Sequence, residues 1–299
     1  MCKAKAIKNL KPRRSVLYMP GSNARALEKG RSLPCDALIL DLEDAVAPEQ
    51  KQTARQLVCQ AVQEGGYGYR EVVIRINGFD TEWGLDDLEA ATKAKPHAIL
   101  MPKVSSANDL WKVAELMEKQ GVSGEIDLWI MMETPKAILA AKEIAETIPH
   151  LPCNVGAIVI GTNDLAKETG AKLVEGRQAF LPWLMSCVAT ARVAKIDVID
   201  GVYNDFSNSE GFLKETEQGA LLGMNGKTLI HPKQIAVSND VFSPNQEEVE
   251  WAKKVIAAFN AEENKGKGAL QVEGKMVERL HAEQGEKVVA MAECLLERG

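Results

Sequence analysis

The sequence predicts a (β/α)8 barrel, a TIM barrel, followed by a helical C-terminal extension. Short apolar runs begin near Val16, Leu38, Val72, Ala98, Asp127, Gly156, Ile196 and Lys227, at a repeat of about 30 residues, the size of one βα unit. Helix-start signals lie between the runs. The runs are continuously apolar, as in Ala37-Leu38-Ile39-Leu40 and Ala157-Ile158-Val159-Ile160, which is how parallel strands covered on both faces read. Eight such units favour a closed barrel; a doubly wound open sheet is the competing arrangement.

Taken in order, each run leads into turn chemistry. The first ends in Met19-Pro20-Gly21-Ser22, with Ser22 expected to cap the first helix. The second ends in Asp41-Leu42-Glu43-Asp44, and Pro48 then sits at a helical first turn. The third ends in Arg75-Ile76-Asn77-Gly78. The fourth ends in Pro102-Lys103, before the caps Ser105-Ser106. The fifth ends in Glu133-Thr134-Pro135 and the sixth in Gly161-Thr162-Asn163-Asp164. The seventh ends in Asp200-Gly201-Val202-Tyr203, the eighth in His231-Pro232. The barrel is expected over residues 1–242. Residues 243–299 should form a helix from Gln246 to about Glu262, a link from Asn264 to Gly268, a short apolar piece and a last helix ending near Arg298. This tail is too small to fold alone and should pack on its own barrel or on a neighbouring subunit.

The 299 residues are 45% hydrophobic and 26% charged, an ordinary globular profile, and 36 basic against 42 acidic side chains give a net charge of −6. That balance argues against general nucleic-acid binding. No run of 18 apolar residues marks a membrane span, and residues Met1 to Arg14 lack the apolar centre of a secretory signal. Six cysteines without Cys-x-x-Cys spacing read as reduced thiols, and the cytoplasm is the expected location.

Catalytic groups in such barrels come from the carboxyl ends of the strands, and here acids dominate those ends. Converging carboxylates repel unless a cation lies between them. With almost no His or Cys present, a hard cation suits the site, Mg²⁺ first and Mn²⁺ second. Glu133 and Asp164, on adjacent strands, form the best metal pair. The competing readings are a helix-capping Asp164 and a first-turn acid at Glu133. Of Asp41, Glu43 and Asp44, one or two are expected to hold metal-bound waters, the rest to cap a helix.

Arg75 interrupts the apolar run Val72–Ile76 and needs an anionic partner: a developing oxyanion in the functional reading, a carboxylate in the structural one. Arg13 and Arg14, with Gly21-Ser22-Asn23 at a helix start, make a candidate anion site suited to phosphates. Gly226-Lys227-Thr228 resembles the end of a phosphate-binding loop, but Leu221 stands where its first glycine belongs, and the triplet precedes a strand. His97, at a strand entrance, reads as structural; His231, at an exit, lies within reach of a ligand. A zinc site is not expected.

Several segments together resemble the citrate lyase β-subunit / malyl-CoA lyase family. They are Arg14-Ser15-Val16-Leu17-Tyr18-Met19-Pro20-Gly21, Asp41-Leu42-Glu43-Asp44-Ala45-Val46, Val73-Ile74-Arg75-Ile76-Asn77-Gly78 and Met131-Met132-Glu133-Thr134. Gly161-Thr162-Asn163-Asp164-Leu165, Asp200-Gly201-Val202-Tyr203 and Gly226-Lys227-Thr228-Leu229-Ile230-His231-Pro232 continue the series in order. Asp80-Thr81-Glu82-Trp83-Gly84 and Gly274-Lys275-Met276-Val277-Glu278 resemble the (3S)-malyl-CoA thioesterase branch. The resemblance implies a Mg²⁺-dependent barrel acting on a CoA thioester of a short hydroxy acid, and a homo-oligomer, trimeric or hexameric. It implies Glu133 and Asp164 as metal carboxylates and Arg75 as the substrate arginine, with Glu43 and Asp44 beside it. CoA would be received by Arg13, Arg14, Tyr18, Pro20 and Gly21, with Lys103, His231 and Pro232 at neighbouring exits. It further implies that the C-terminal segment closes over a neighbour's site and supplies an acid/base carboxylate. That residue is usually Asp; here it is Glu278. One extra methylene shifts the carboxylate by about 1.5 Å, and misplacement on that scale can cost about a hundredfold. This disfavours carbon–carbon cleavage and favours thioester hydrolysis to malate and CoA. The alternatives are cleavage of malyl- or citramalyl-CoA, a citryl-thioester lyase subunit, and a non-catalytic CoA-binding protein.

Overall fold

The computed structural model describes residues 10–298 and divides into two compact units, one spanning Arg13–Val241 and the other joining residues 10–12 to Phe242 onwards. Residues 10–12 thus group with the tail rather than with the barrel.

The first unit is a closed barrel of eight parallel strands in sequence order. The strands are β1 (Ser15–Pro20), β2 (Ala37–Asp41), β3 (Glu71–Arg75), β4 (Ala98–Met101), β5 (Asp127–Met132), β6 (Val155–Ile160), β7 (Asp197–Asp200) and β8 (Gly226–Leu229). Closure is direct: β1 pairs with β2 through Leu17 and Leu38, and with β8 through Leu17 and Leu229. The open-sheet alternative is therefore excluded.

Between the strands run α1 (Ala24–Gly30), α2 (Lys51–Glu64), α3 (Gly84–Ala94), α4 (Ala107–Lys119), α5 (Pro135–Leu139), α6 (Ala141–Thr147), α7 (Thr162–Thr169), α8 (Leu181–Ala194), α9 (Ser209–Leu221) and α10 (Ile235–Val241). Their starts follow local chemistry. Ser106 and Thr134 accept from the amides of Asp109 and Ala137, and Pro48 opens a single 3₁₀ turn. The first helix differs from expectation: Asn23, not Ser22, is its cap, accepting from Ala26 N at 3.1 Å.

Side-chain alternation sorts the barrel into layers. Ala37 and Ile39 of β2, Val73 of β3, Trp129 and Met131 of β5 and Val159 of β6 form one buried cluster. The next residues of the same parity are Asp41, Arg75, Glu133 and Gly161, and all four line a cavity at the carboxyl ends of the strands. An apolar plug thus supports a polar top layer.

The opposite end is closed by Arg13. Its guanidinium donates to both Glu71 oxygens (2.8 and 3.0 Å), to Asp197 Oδ2 (2.8 Å) and to the Gly156 carbonyl (2.7 Å), and it lies over Trp129. Arg14 forks onto Asp36. His97 is structural as expected, its Nδ1 accepting from Val72 N at 2.9 Å.

The second unit contains α11 (Gln246–Asn260), an antiparallel hairpin of β9 (Ala269–Val272) and β10 (Lys275–Glu278), and α12 (Arg279–Leu296). The hairpin replaces the short apolar piece expected from sequence; its turn holds Glu273 and Gly274 at positive φ. Val255, Phe259, Val272, Val277 and Ala282 form its core. Among the described residues, no helix is long and apolar enough to cross a membrane. The five described cysteines are free thiols, and burial pushes Cys35 and Cys187 up to about 12.

Candidate active site

A cavity of about 320 Å³ opens at the strand exits, with Glu133, Asp164, Arg75, Asp41, Asp44 and Tyr18 among its lining residues. The fifth and sixth exits supply Glu133 and Asp164, and the second supplies Asp41 and Asp44. Glu133 is 1% exposed and follows β5 directly; its Oε1 accepts from Lys103 N at 2.8 Å. Its Oε2 is buried without a hydrogen-bond partner. The helix that follows is capped by Thr134, so Glu133 precedes the cap and is not a first-turn acid. Asp164 is in the first turn of α7, where no side chain caps the helix, so the capping reading of Asp164 fails as well. Gly161 precedes the helix that carries Asp164, and a Cβ there would collide with Cβ and Oε2 of Glu133. The carboxylate occupies space that only glycine leaves.

Desolvation, then the charge of Glu43, with Asp164 adding to it, push Glu133 up to about 8 against the pull of Arg75 and the Lys103 amide. A buried carboxylate oxygen with no donor and an acid neighbour is an environment that a hard cation would stabilise. Among the described residues, no group of three or more His, Cys, Asp or Glu forms a cage. Mg²⁺ typically uses one or two protein carboxylates and leaves its remaining positions to water and substrate, so the donor set fits a hard dication of that kind.

Arg75 is almost fully buried and lies over the Tyr18 ring, 4.8 Å from its centroid. Nε and Nη2 fork onto Asp41 at 2.6 Å each; Nη1 lies 2.9 Å from Glu43 Oε2 and 3.8 Å from Asp44. Burial opposes charge at both Arg75 and Asp41, yet their mutual attraction wins: Arg75 is held above its ordinary value and Asp41 below. Asp41 also accepts from the amides of Glu43 and Ala45, so it organises the β2 exit. Glu43 is clamped from the other side by Lys103 Nζ at 2.9 Å. The carboxylate partner and the cavity-facing position of Arg75 therefore coexist: one edge is anchored by Asp41 and the residue still lines the cavity.

The residues matched by a family model, 14–232, are those of the barrel, and the model describes the HpcH/HpaI aldolase/citrate lyase group. The chain belongs to the HpcH/HpaI aldolase/citrate lyase family. It is 48% identical to a (3S)-malyl-CoA thioesterase of Cereibacter sphaeroides, over 95% of this chain and 96% of that one. Identity to the citrate lyase subunit beta of Escherichia coli is 34%, covering 94% and 93%. The structure is also similar to the CitE protein of Mycobacterium tuberculosis, crystallised in complex with magnesium, acetoacetate and coenzyme A. The TM-score is 0.74 at 26% identity, covering 96% of this chain and 99% of that one.

Against the residue assignments that the family resemblance implied, the structure makes one correction. Arg13 and Arg14 precede β1, at the end of the barrel away from the strand exits, and their guanidinium groups are committed to Glu71, Asp197 and Asp36. They brace the barrel floor and form no anion site at the exits. Gly21 is packed so closely that a Cβ would collide with the Asp41 carbonyl and Val58, and its amide donates to Asp41 O at 2.9 Å. Tyr18 lines the cavity, and Pro20 ends β1 beside Asp41. Lys103 ties Glu43 through its ammonium group and Glu133 through its amide. His231 caps the 3₁₀ turn that begins at Pro232 and stacks on Phe206, ring centroids 4.8 Å apart. Glu278 ends β10 in the second unit, exposed, its amide donating to His281 Nδ1 at 2.8 Å.

Two buried lysines escaped the sequence reading. Lys51 Nζ donates to the Leu42 and Glu43 carbonyls and to Asn77 Oδ1, fixing the backbone that presents Glu43. Lys227, set aside as a false phosphate loop, is fully buried between Asp200 (2.8 Å) and Glu215 (2.9 Å), and Arg177 also holds Asp200 at 2.7 Å. The physical reason is that a lysine buried in a barrel strand needs an acid, and Asp200 ends the adjacent strand.

Proposed function

We propose that this protein hydrolyses a short β-hydroxyacyl-CoA thioester, with (3S)-malyl-CoA as substrate and malate and CoA as products, in a reaction that depends on Mg²⁺. The observation that carries this reading is the buried, unpartnered oxygen of Glu133, in the same cavity as Asp164 and Arg75, in a chain nearly half identical to a named malyl-CoA thioesterase.

Glu133 and Asp164 would hold the dication, which when bound offsets their repulsion and orients the hydroxyl and carboxylate of the acyl group. Arg75, preset by Asp41, faces the negative charge that develops as water adds to the thioester carbonyl. Fixed donors of this sort are typically worth two to three orders of magnitude in rate. Tyr18 supports the guanidinium plane and keeps water from that side. Glu278 is assigned as the base: it takes a proton from water as the new carbon–oxygen bond forms, the carbon–sulfur bond breaks, and the thiolate leaves to be protonated. CoA would lie at the mouth formed by the β1, β4 and β8 exits. The assembly is assigned as a homo-oligomer in which the tail of one copy serves another.

Similarity to a citrate lyase subunit supports a second reading, retro-Claisen cleavage to acetyl-CoA and glyoxylate. Incubation of the pure protein with malyl-CoA and Mg²⁺, with malate and glyoxylate quantified separately, decides between them. Malate is expected to dominate, and glyoxylate as the main product would establish the lyase reading instead. Glu278→Gln should lower kcat about a hundredfold or more while leaving thioester binding little changed; an unaltered kcat removes Glu278 from the mechanism.

A further inference from the structure

A second, larger cavity of about 450 Å³ adjoins the first. It lies between the 173–176 loop, the β7 exit and α9, and Val202 lines both chambers. Beside Val202 stands a reciprocal amide pair. Asn163 Nδ2 donates to Asn204 Oδ1 at 3.1 Å, and Asn204 Nδ2 returns a bond to Asn163 Oδ1 at 2.8 Å. Asn163, next to Asp164, lines the first chamber and Asn204 the second. Val202 and this solvent-exposed amide pair thus stand where the two cavities meet, beside Asp164.

We propose that this junction sets acyl-group specificity by excluding a substituent from the hydroxyl-bearing carbon of the substrate. The inference rests on the thioester reading given above. On that reading the hydroxyl and carboxylate face Glu133 and Asp164, and the remaining substituent on that carbon is placed toward Val202, which lines the same cavity. In that placement a hydrogen would be accepted against Val202, and a methyl, as in a citramalyl thioester, would need the space that the second cavity offers beyond it. The amide pair ties the two exits together beside Val202. Each Asn is the other's partner across the β6 and β7 exits, and the pair lies at the exposed rim, so it acts as a clasp between two strand exits rather than as a buried seal. The neighbouring Gly201 packs so closely that a Cβ there would meet Thr162 Oγ1 at 2.6 Å. That fixes the backbone from which Val202 projects.

The test is a ratio, kcat/KM for citramalyl-CoA over kcat/KM for malyl-CoA, which a general loss of stability or active fraction leaves unchanged. The wild-type ratio is expected below one. One methyl group in an apolar pocket is worth about 10–200-fold in discrimination. Val202→Ala combined with Asn204→Ala should therefore raise the ratio about tenfold or more, and Val202→Ile alone should lower it. A ratio that stays within twofold in both proteins, or a wild type that favours citramalyl-CoA, overturns the proposal. Wild-type protein that turns over neither thioester defeats the underlying functional reading, and this inference with it. Wild-type turnover with an unmoved ratio defeats this inference alone.

Discussion

Glu133 shows how much one side chain can carry. Its carboxylate is buried, bonded at one oxygen only, and pushed up to about 8 by desolvation and by Glu43. Since the ordinary value is 4.5, the folded chain between these limits holds a proton that the unfolded chain has lost. Stability of the metal-free protein must then fall as pH rises from about 4.5 to about 8, because deprotonation leaves an unpaired buried charge. Thermal unfolding in chelator across that range should show this slope, and Glu133→Gln should flatten it. Added Mg²⁺ should restore stability most at the alkaline end, where no proton competes for the carboxylate. A slope identical in wild type and Glu133→Gln would mean that the charge is compensated by something other than a dication.

At the scale of elements, the β7 and β8 strands are joined by a buried ionic cluster. Asp200 receives Arg177 on one oxygen and Lys227 on the other, and also accepts the Gly201 amide at 2.9 Å. Burial alone would raise Asp200, but Lys227 and Arg177 more than reverse it, and its value is lowered. Asp200 and Lys227 face away from the apolar plug, toward Glu215 of α9, so the cluster pins a helix to the barrel rather than serving the cavity. Removing one member strands the others in a dry space, a loss of about 3–5 kcal/mol for a buried pair. Lys227→Met should therefore lower the urea midpoint by a corresponding amount, while Lys214→Met, at an exposed ion pair, should change it little. Equal effects would show that solvent reaches the cluster. The hairpin of β9 and β10 is the element that sequence missed. Its strands are four residues each and partly exposed, with Lys275 and Met276 at the start of the second, so no clean alternation marks them.

For the whole molecule, the two units divide the proposed chemistry: Glu133, Asp164 and Arg75 belong to the barrel and Glu278 to the tail. If the tail of one copy serves the barrel of another, defects in the two units should complement. Arg75→Lys loses the fork onto Asp41 and Glu278→Gln loses the base, so each variant alone should be nearly inactive. Co-expression of the two should restore measurable malyl-CoA turnover, because a mixed oligomer contains sites with both groups intact. Activity no higher than the sum of the two variants would place Glu278 in service of its own barrel.

What the sequence determined by itself follows from periodicity and from the cost of burying charge. Eight apolar runs at a mean repeat of about 30 residues favour a closed parallel barrel, because alternation and helix caps are local and each repeat states them again, but closure itself rests on the pairing of β1 with β8. Glu133, Asp164 and Arg75 were legible for a related reason: a charged residue at the end of an apolar strand needs a partner, and strand exits converge. Only the tertiary structure decided which partners those charges took. Arg13 and Arg14 look like anion ligands in a linear chain, yet strand direction puts them at the barrel floor against Glu71, Asp197 and Asp36. Lys51, Lys227 and the Asn163–Asn204 pair acquire their roles from residues 8 to 41 positions away in sequence. Such pairings are set by register and closure, which act in three dimensions and leave no periodic trace along the chain.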